Sequence, residues 1–160
     1  MTKLGLLLLV ALATLAATTV ALDTPYQLSG RVYCDTCHFG FETNVTRYIP
    51  GAEVHLECKD EKSDTKLVFR NATKTNEKGR FTFHVGEDHG DQYCDVVLVK
   101  SPWPHCKNID PVRGRSRVII TDLNGIRSFR RHANNMGFFQ DYVFPVCSDL
   151  YKFYFHSDDM

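Results

Sequence analysis

The chain has no charge of either sign to spare. Its 19 Lys and Arg residues meet 19 Asp and Glu residues, whereas a binder of nucleic acid or of an anionic membrane needs a basic field. Also missing are the short patterns that announce common chemistries. There is no G-x-S-x-G nucleophile elbow, no H-E-x-x-H zinc helix and no Gly-rich phosphate loop. The acidic residues are scattered through turn-like stretches, where they solvate the surface. The expectation is therefore no catalytic residue, no cofactor and no resident metal. Beyond residue 21 no apolar run approaches the ~18 residues of a membrane span, and no helical stripe exceeds two turns. No repeat, low-complexity tract or linker divides the chain, so one domain is expected.

What is present begins with an apolar leader. Lys3 precedes an apolar run from Leu4 to Ala17, and Thr19-Val20-Ala21 supplies small residues for a signal peptidase. Residues 1–21 read as a signal peptide, and residues 22–160 as the mature domain, which is large enough to bury a core. All six cysteines fall in the mature part: Cys34, Cys37, Cys58, Cys94, Cys106 and Cys147. An even count in an exported chain reads as three disulfides, because the secretory route is oxidising. The sequons Asn44-Val45-Thr46 and Asn71-Ala72-Thr73, in polar, loop-like surroundings, also point to a secreted, extracellular glycoprotein.

Cys34-Asp35-Thr36-Cys37 has the spacing of a redox dithiol or of half a zinc site. A redox pair sits at a helix N-terminus, where the dipole lowers a thiol pKa, but this one follows the strand-like Val32-Tyr33. A zinc site of this type needs a second C-x-x-C, and the chain has none; His38 and His105 merely adjoin a cysteine each. The cysteines read as halves of structural bridges. Six of them allow fifteen pairings, and chain entropy favours distant partners for Cys34 and Cys37.

The apolar period is two wherever it can be read. Ala52 to Cys58 alternates apolar with polar, and Arg80 to Val85 repeats the pattern with Phe81, Phe83 and Val85 inward. Leu28 to Tyr33, Lys66 to Phe69, Asp95 to Lys100, Arg117 to Thr121 and Tyr151 to Phe155 are further β-rich runs. Pro50-Gly51, Asn76 to Gly79, Gly86 to Asp91 and Asn124-Gly125 mark turns, and Pro102-Trp103-Pro104 stops a strand. These observations predict an all-β, antiparallel sandwich or barrel of about seven strands carrying three disulfides.

Three blocks then carry a resemblance. Ser29-Gly30-Arg31-Val32-Tyr33-Cys34-Asp35-Thr36-Cys37, Ile49 to Cys58, and Ala133-Asn134-Asn135-Met136-Gly137-Phe138-Phe139 with Phe144-Pro145-Val146-Cys147 resemble the signature of the pollen Ole e I allergen and extensin family of plants. The resemblance spans nearly all of the mature chain. It implies a secreted, often N-glycosylated seven-stranded β protein with Cys34 joined to Cys106, Cys37 to Cys147 and Cys58 to Cys94. It also implies roles in pollen hydration, tube growth and cell-wall or receptor-kinase signalling, with no established catalytic residues. His38 stands where the family often has arginine, and Asn134-Asn135-Met136-Gly137 where it often has Asn-Pro-Leu-Gly. The segment from Gly51 to Val85 is also similar to transthyretin-like and carboxypeptidase-regulatory sandwiches.

Two basic clusters follow. Arg113, Arg115 and Arg117 form one, and Arg127, Arg130, Arg131 and His132 the other. Either is a docking site for an acidic glycan, a phosphate or a partner protein, or a charged edge that blocks strand pairing. Trp103 reads as packing over a disulfide. Tyr151, Phe153 and Phe155 read as one face of a closing strand. The expected function is that of a non-catalytic ligand, modulator or wall-associated module, whose partner is a receptor-like kinase ectodomain, another extracellular protein or a cell-wall glycan. A protease inhibitor is the alternative, and a thiol oxidoreductase using Cys34 and Cys37 a more distant one.

Overall fold

The computed structural model describes residues 26–63 and 65–156; the signal-peptide reading of residues 1–21 lies outside them. Ten strands and one helix are present among the described residues. The strands are β1 (Tyr26–Asp35), β2 (Arg47–Tyr48), β3 (Glu53–Asp60), β4 (Leu67–Lys74), β5 (Arg80–Val85), β6 (Gln92–Lys100), β7 (Cys106–Ile109), β8 (Arg115–Val118), β9 (Arg130–His132) and β10 (Met136–Gln140). The helix, α1, is Cys147–Phe155.

These strands form two sheets. One is a four-stranded antiparallel sheet in the order β4-β3-β6-β8. The other is built on β1, whose first half pairs with β5 and β9 and whose second half pairs with β10 and β2, with β7 beyond β10. The alternating residues do what their period requires. Val54, Leu56 and Cys58 of β3 are completely buried, and with Val96, Leu98, Phe81, Phe83, Leu28, Val32, Met136 and Phe138 they form one core drawn from both sheets. The architecture is an all-β sandwich. Among the described residues no helix is long and apolar enough to cross a membrane.

The structure corrects the sequence reading in three places. First, the pairing is not purely antiparallel. Both β9 and β10 run parallel to β1, in the registers Leu28↔Arg131 and Tyr33↔Gly137. Alternation tells which face a residue takes and carries no information on partner direction. Second, there are ten strands and not seven, because β2, β7, β9 and β10 have two to five residues each, too few for a period to show. Third, Tyr151 to Phe155 is helical. Tyr151, Tyr154 and Phe155 are spaced i, i+3, i+4, and all three lie against Phe39, with ring centroids 6.2, 6.4 and 5.6 Å away. Phe153, on the other side, is 68% exposed.

Three disulfides bind the chain: Cys34–Cys106, Cys37–Cys147 and Cys58–Cys94, separated by 72, 110 and 36 residues. The first reaches across β10 from β1 to β7. The second ties the loop after β1 to the start of α1. The third joins neighbours opposite one another on β3 and β6. No cysteine is free.

Candidate functional site

The parallel pairing of β1 with β10 places the first and third signature blocks side by side. Val32 faces Met136, Tyr33 faces Gly137, Cys34 faces Phe138 and Asp35 faces Phe139. A cavity of about 350 Å³ opens over this junction, lined by Tyr33, Asp35, Gly40, Arg113, Arg115 and Asn135 among others. Two glycines make the space. A Cβ on Gly137 would lie 2.6 Å from the Tyr33 ring, and one on Gly40, whose φ is +82°, would strike the Arg113 guanidinium. The ring and the guanidinium can occupy these positions only because those side chains are missing.

The polar groups of the cavity are fixed by hydrogen bonds. The Asp35 carboxylate, nearly fully buried, accepts from the backbone N–H of Phe39 at 3.2 Å and of Gly40 at 2.7 Å. Asn135 Oδ1 accepts from Arg31 N–H at 3.1 Å, and its Nδ2 donates to Glu42 Oε2 at 2.8 Å. Tyr48 donates to the other Glu42 oxygen at 2.6 Å, so one asparagine ties β1 to the following loop. His38, at φ +61°, lies 2.7 Å from the Gln140 carbonyl through Nε2 and against the Phe139 ring.

Burial, reinforced by the negative charges of Asp35 and Glu42 and opposed by Arg113, pushes the Tyr33 phenol up to about 12. Below pH 10 the phenol is neutral in folded and unfolded chains alike. Between pH 10 and about 12 the unfolded chain loses the proton that the folded one keeps, so stability must fall across that window. Urea midpoints from pH 9 to 12 should decline faster for the wild type than for Tyr33→Phe.

A second cavity, of about 340 Å³, adjoins the first through Arg115 and is lined by Lys59, Tyr93, Asp95, Arg115 and Arg117. Asp95, buried on β6, organises it. Arg117 Nε donates to Asp95 Oδ1 at 2.7 Å, Arg115 Nη1 lies 3.7 Å from Oδ2, and the Arg117 guanidinium lies 5.0 Å from the centroid of the Tyr93 ring. Arg113 is held behind the first cavity by Asp110 at 2.7 Å and lies 5.4 Å from the centroid of the Phe139 ring. That contact, with the Val112 and Arg113 N–H donors, lowers the Asp110 pKa. The two cavities, which share Arg115 and are taken together as one trough, are lined by Lys59, Arg113, Arg115 and Arg117 and by Asp35 and Asp95. Arg115 and Arg117 also lie on the sheet's outer strand, β8, while Arg113 sits in the turn before it, so for Arg115 and Arg117 both readings of this cluster describe the same residues.

The other basic cluster is split by the fold. Arg127, Arg130 and His132 are exposed, but Arg131 is 5% exposed and is no surface charge. Its guanidinium donates to the carbonyls of Ile119, Thr121 and Ser128 and lies 5.1 Å from the centroid of the Tyr26 ring. Ser29 Oγ and His132 Nδ1 are 3.3 Å apart, with no orienting carboxylate on the imidazole among the described residues. Trp103 is half-buried against the core beside Cys106. Asn44 is exposed in a turn, whereas Asn71 lies in strand β4 and not in the loop-like setting read from its neighbours.

Sequence reasoning passed over His89. It is the only described residue with a buried side-chain nitrogen or oxygen lacking a hydrogen-bond partner, at Nε2. No spacing signals it, because it meets Cys58 and Cys94 only through the sheet.

A family profile described as "Pollen protein Ole e 1 like" matches residues 24–155. The chain is 40% identical to Protein DOWNSTREAM OF FLC of Arabidopsis thaliana over 96% of its own length and 93% of that protein's. It is 42% identical to Pollen-specific protein C13 of Zea mays, covering 84% and 78% of the two chains. Among solved structures it is similar to the major plantain pollen allergen Pla l 1. There the TM-score is 0.67 and the identity 28%, over 75% of this chain and 97% of that one. With the fold, the blocks and these relatives in agreement, the chain belongs to the Ole e 1-like pollen protein family.

Proposed function

We propose that the protein is a secreted, non-catalytic extracellular glycoprotein that works by binding, as a ligand, modulator or wall-associated module in pollen or in other developing tissue. Relatives named for pollen support the setting. Asn44 and Asn71 are the proposed glycan acceptors. The partner is an extracellular protein such as a receptor-like kinase ectodomain, or a cell-wall glycan, with an acidic contact face in either case. The observation that carries this reading is the trough itself. Buried Asp95 holds Arg115 and Arg117 in place, and their side chains stay 44% and 58% exposed at the surface of the trough, where a guanidinium can donate to a partner's carboxylate.

The test is binding of the purified mature protein to acidic and neutral wall polysaccharides and to receptor ectodomains, each at low and high salt. Binding to the true partner should weaken as salt rises. Arg115→Gln should weaken it about 5- to 30-fold, the equivalent of about 1–2 kcal/mol for a charge-assisted contact, with the unfolding midpoint hardly changed. A partner bound equally well by Arg113→Gln, Arg115→Gln and Arg117→Gln would remove the trough as the contact surface.

A further inference from the structure

The Cys58–Cys94 bridge differs from the other two in what stands beside it. Its sulfurs and a ring nitrogen of His89 all lie within 4.8 Å of one another, and all three residues are buried. His89 is 4% exposed. Its backbone N–H donates to the Ile120 carbonyl at 2.8 Å, and its own carbonyl accepts from Gln92 N–H at 3.1 Å. The imidazole Nδ1 is 2.9 Å from Gln92 Oε1. An amide oxygen only accepts, so Nδ1 donates to it, and in the neutral imidazole the lone pair is then on Nε2, the atom without a partner. Phe69, the strand neighbour of Cys58, lies against the imidazole at 4.7 Å between ring centroids.

This is how proteins prepare a metal-binding histidine. One ring nitrogen is fixed by an oxygen, the other is unprotonated, and an apolar wall excludes water. We propose that Cys58, Cys94 and His89 form a redox-gated metal site, closed as a disulfide and, once that bridge is reduced, able to bind a zinc-class cation through two thiolates and one imidazole. A dithiol reductant supplies two electrons and two protons and closes to its own disulfide, leaving Cys58 and Cys94 as thiols. The divalent cation displaces the two thiol protons to solvent, binds both sulfurs and His89 Nε2, and keeps a fourth position for water. Two thiolates neutralise the cation, so the buried site carries no net charge.

The sheet keeps the ligands together after the bridge opens. Cys58 and Cys94 are opposite one another in a ladder that continues on both sides, through Glu57↔Asp95 and Lys59↔Tyr93. The sulfurs need only relax to the roughly 3.8 Å separation of a tetrahedral zinc–thiolate pair. The other two bridges have no such neighbouring ladder: Cys34 and Cys106 lie on strands separated by β10, and Cys37 and Cys147 on a loop and a helix.

The experiment is a graded anaerobic reduction of the mature protein with dithiothreitol, followed by alkylation and peptide mapping to find where Cys58 and Cys94 open. Co²⁺ is then titrated in as a spectroscopic probe, with Zn²⁺ as competitor. One Co²⁺ per chain should bind with thiolate-to-cobalt charge-transfer absorption, and Zn²⁺ should displace it. His89→Asn should weaken binding at least 100-fold, and Gln92→Ala 10- to 100-fold. Cys58→Ser combined with Cys94→Ser should abolish the absorption. The proposal is overturned if the open pair takes up no Co²⁺, if His89→Asn binds as well as wild type, or if the chain unfolds or the other bridges open before this one.

Discussion

Replacing Arg131 with methionine should lower the unfolding free energy by about 3–5 kcal/mol, among the largest effects of any single charged residue in the molecule. The reason lies in what the guanidinium satisfies. It is buried under the segment that joins β8 to β9, and its nitrogens donate to the carbonyls of Ile119, Thr121 and Ser128. Methionine fills a similar volume and donates nothing, so those carbonyls lose their partner away from water, at about 1–3 kcal/mol each before relaxation. Lysine restores the charge without the planar fork that reaches three carbonyls at once, so Arg131→Lys should recover less than half of the loss. Urea denaturation gives the free energies, and hydrogen exchange should show the 119–130 segment opening first. If Arg131→Met shifts stability by no more than Arg130→Met, the arginine is an ordinary surface charge and the clamp described here is wrong.

Arg131 also marks the boundary of what could be read from the chain. Leu28, Val54, Leu56, Phe81, Phe83 and Val85 were legible as core because each alternates with polar neighbours on one strand, and all are buried. Five of the seven β-rich runs lie in strands, and a sixth, Arg117 to Thr121, enters one only through its first two residues. What alternation cannot carry is the relation between distant segments. The parallel pairing of β1 with β9 and β10 depends on how the chain returns after β8. So does the fate of Arg131, which looks like Arg130 in sequence and lies on the opposite face of a three-residue strand. The trough was half legible. Arg113, Arg115 and Arg117 stood out as a cluster, but Lys59 and the organising carboxylate of Asp95 come from other strands. His89 was invisible, since it neighbours Cys58 and Cys94 only once β3 and β6 have paired. The helix α1 was misread because five residues of aromatic-rich sequence satisfy a period of two and a period of 3.6 almost equally well.

The two sequence-distant bridges that anchor β1 and its loop should differ in a way that chain entropy alone gets wrong. Counting closed loops of 72 and 110 residues, the entropy argument assigns roughly 4 kcal/mol to Cys34–Cys106 and slightly more to Cys37–Cys147. The structure reverses that order. Cys34 and Cys106 are buried in the core cluster and clamp β1 to β7 across β10, so nothing can separate without opening the sandwich. Cys147 begins a terminal nine-residue helix, which meets the loop after β1 through the bridge and through contacts such as Tyr151 with Phe39 and Tyr154 with Phe41. Without that bridge the helix can detach by itself, as a local opening that leaves both sheets intact. Cys34→Ala with Cys106→Ala should therefore cost about 4 kcal/mol, a large share of a domain's usual 5–15 kcal/mol. Cys37→Ala with Cys147→Ala should cost the sandwich less than half as much, while amide protection across 147–155 collapses. Denaturation followed by far-ultraviolet dichroism, with hydrogen exchange read segment by segment, separates the two. Equal losses in single cooperative transitions would mean that the helix is an integral part of the folding unit and that loop length governs after all.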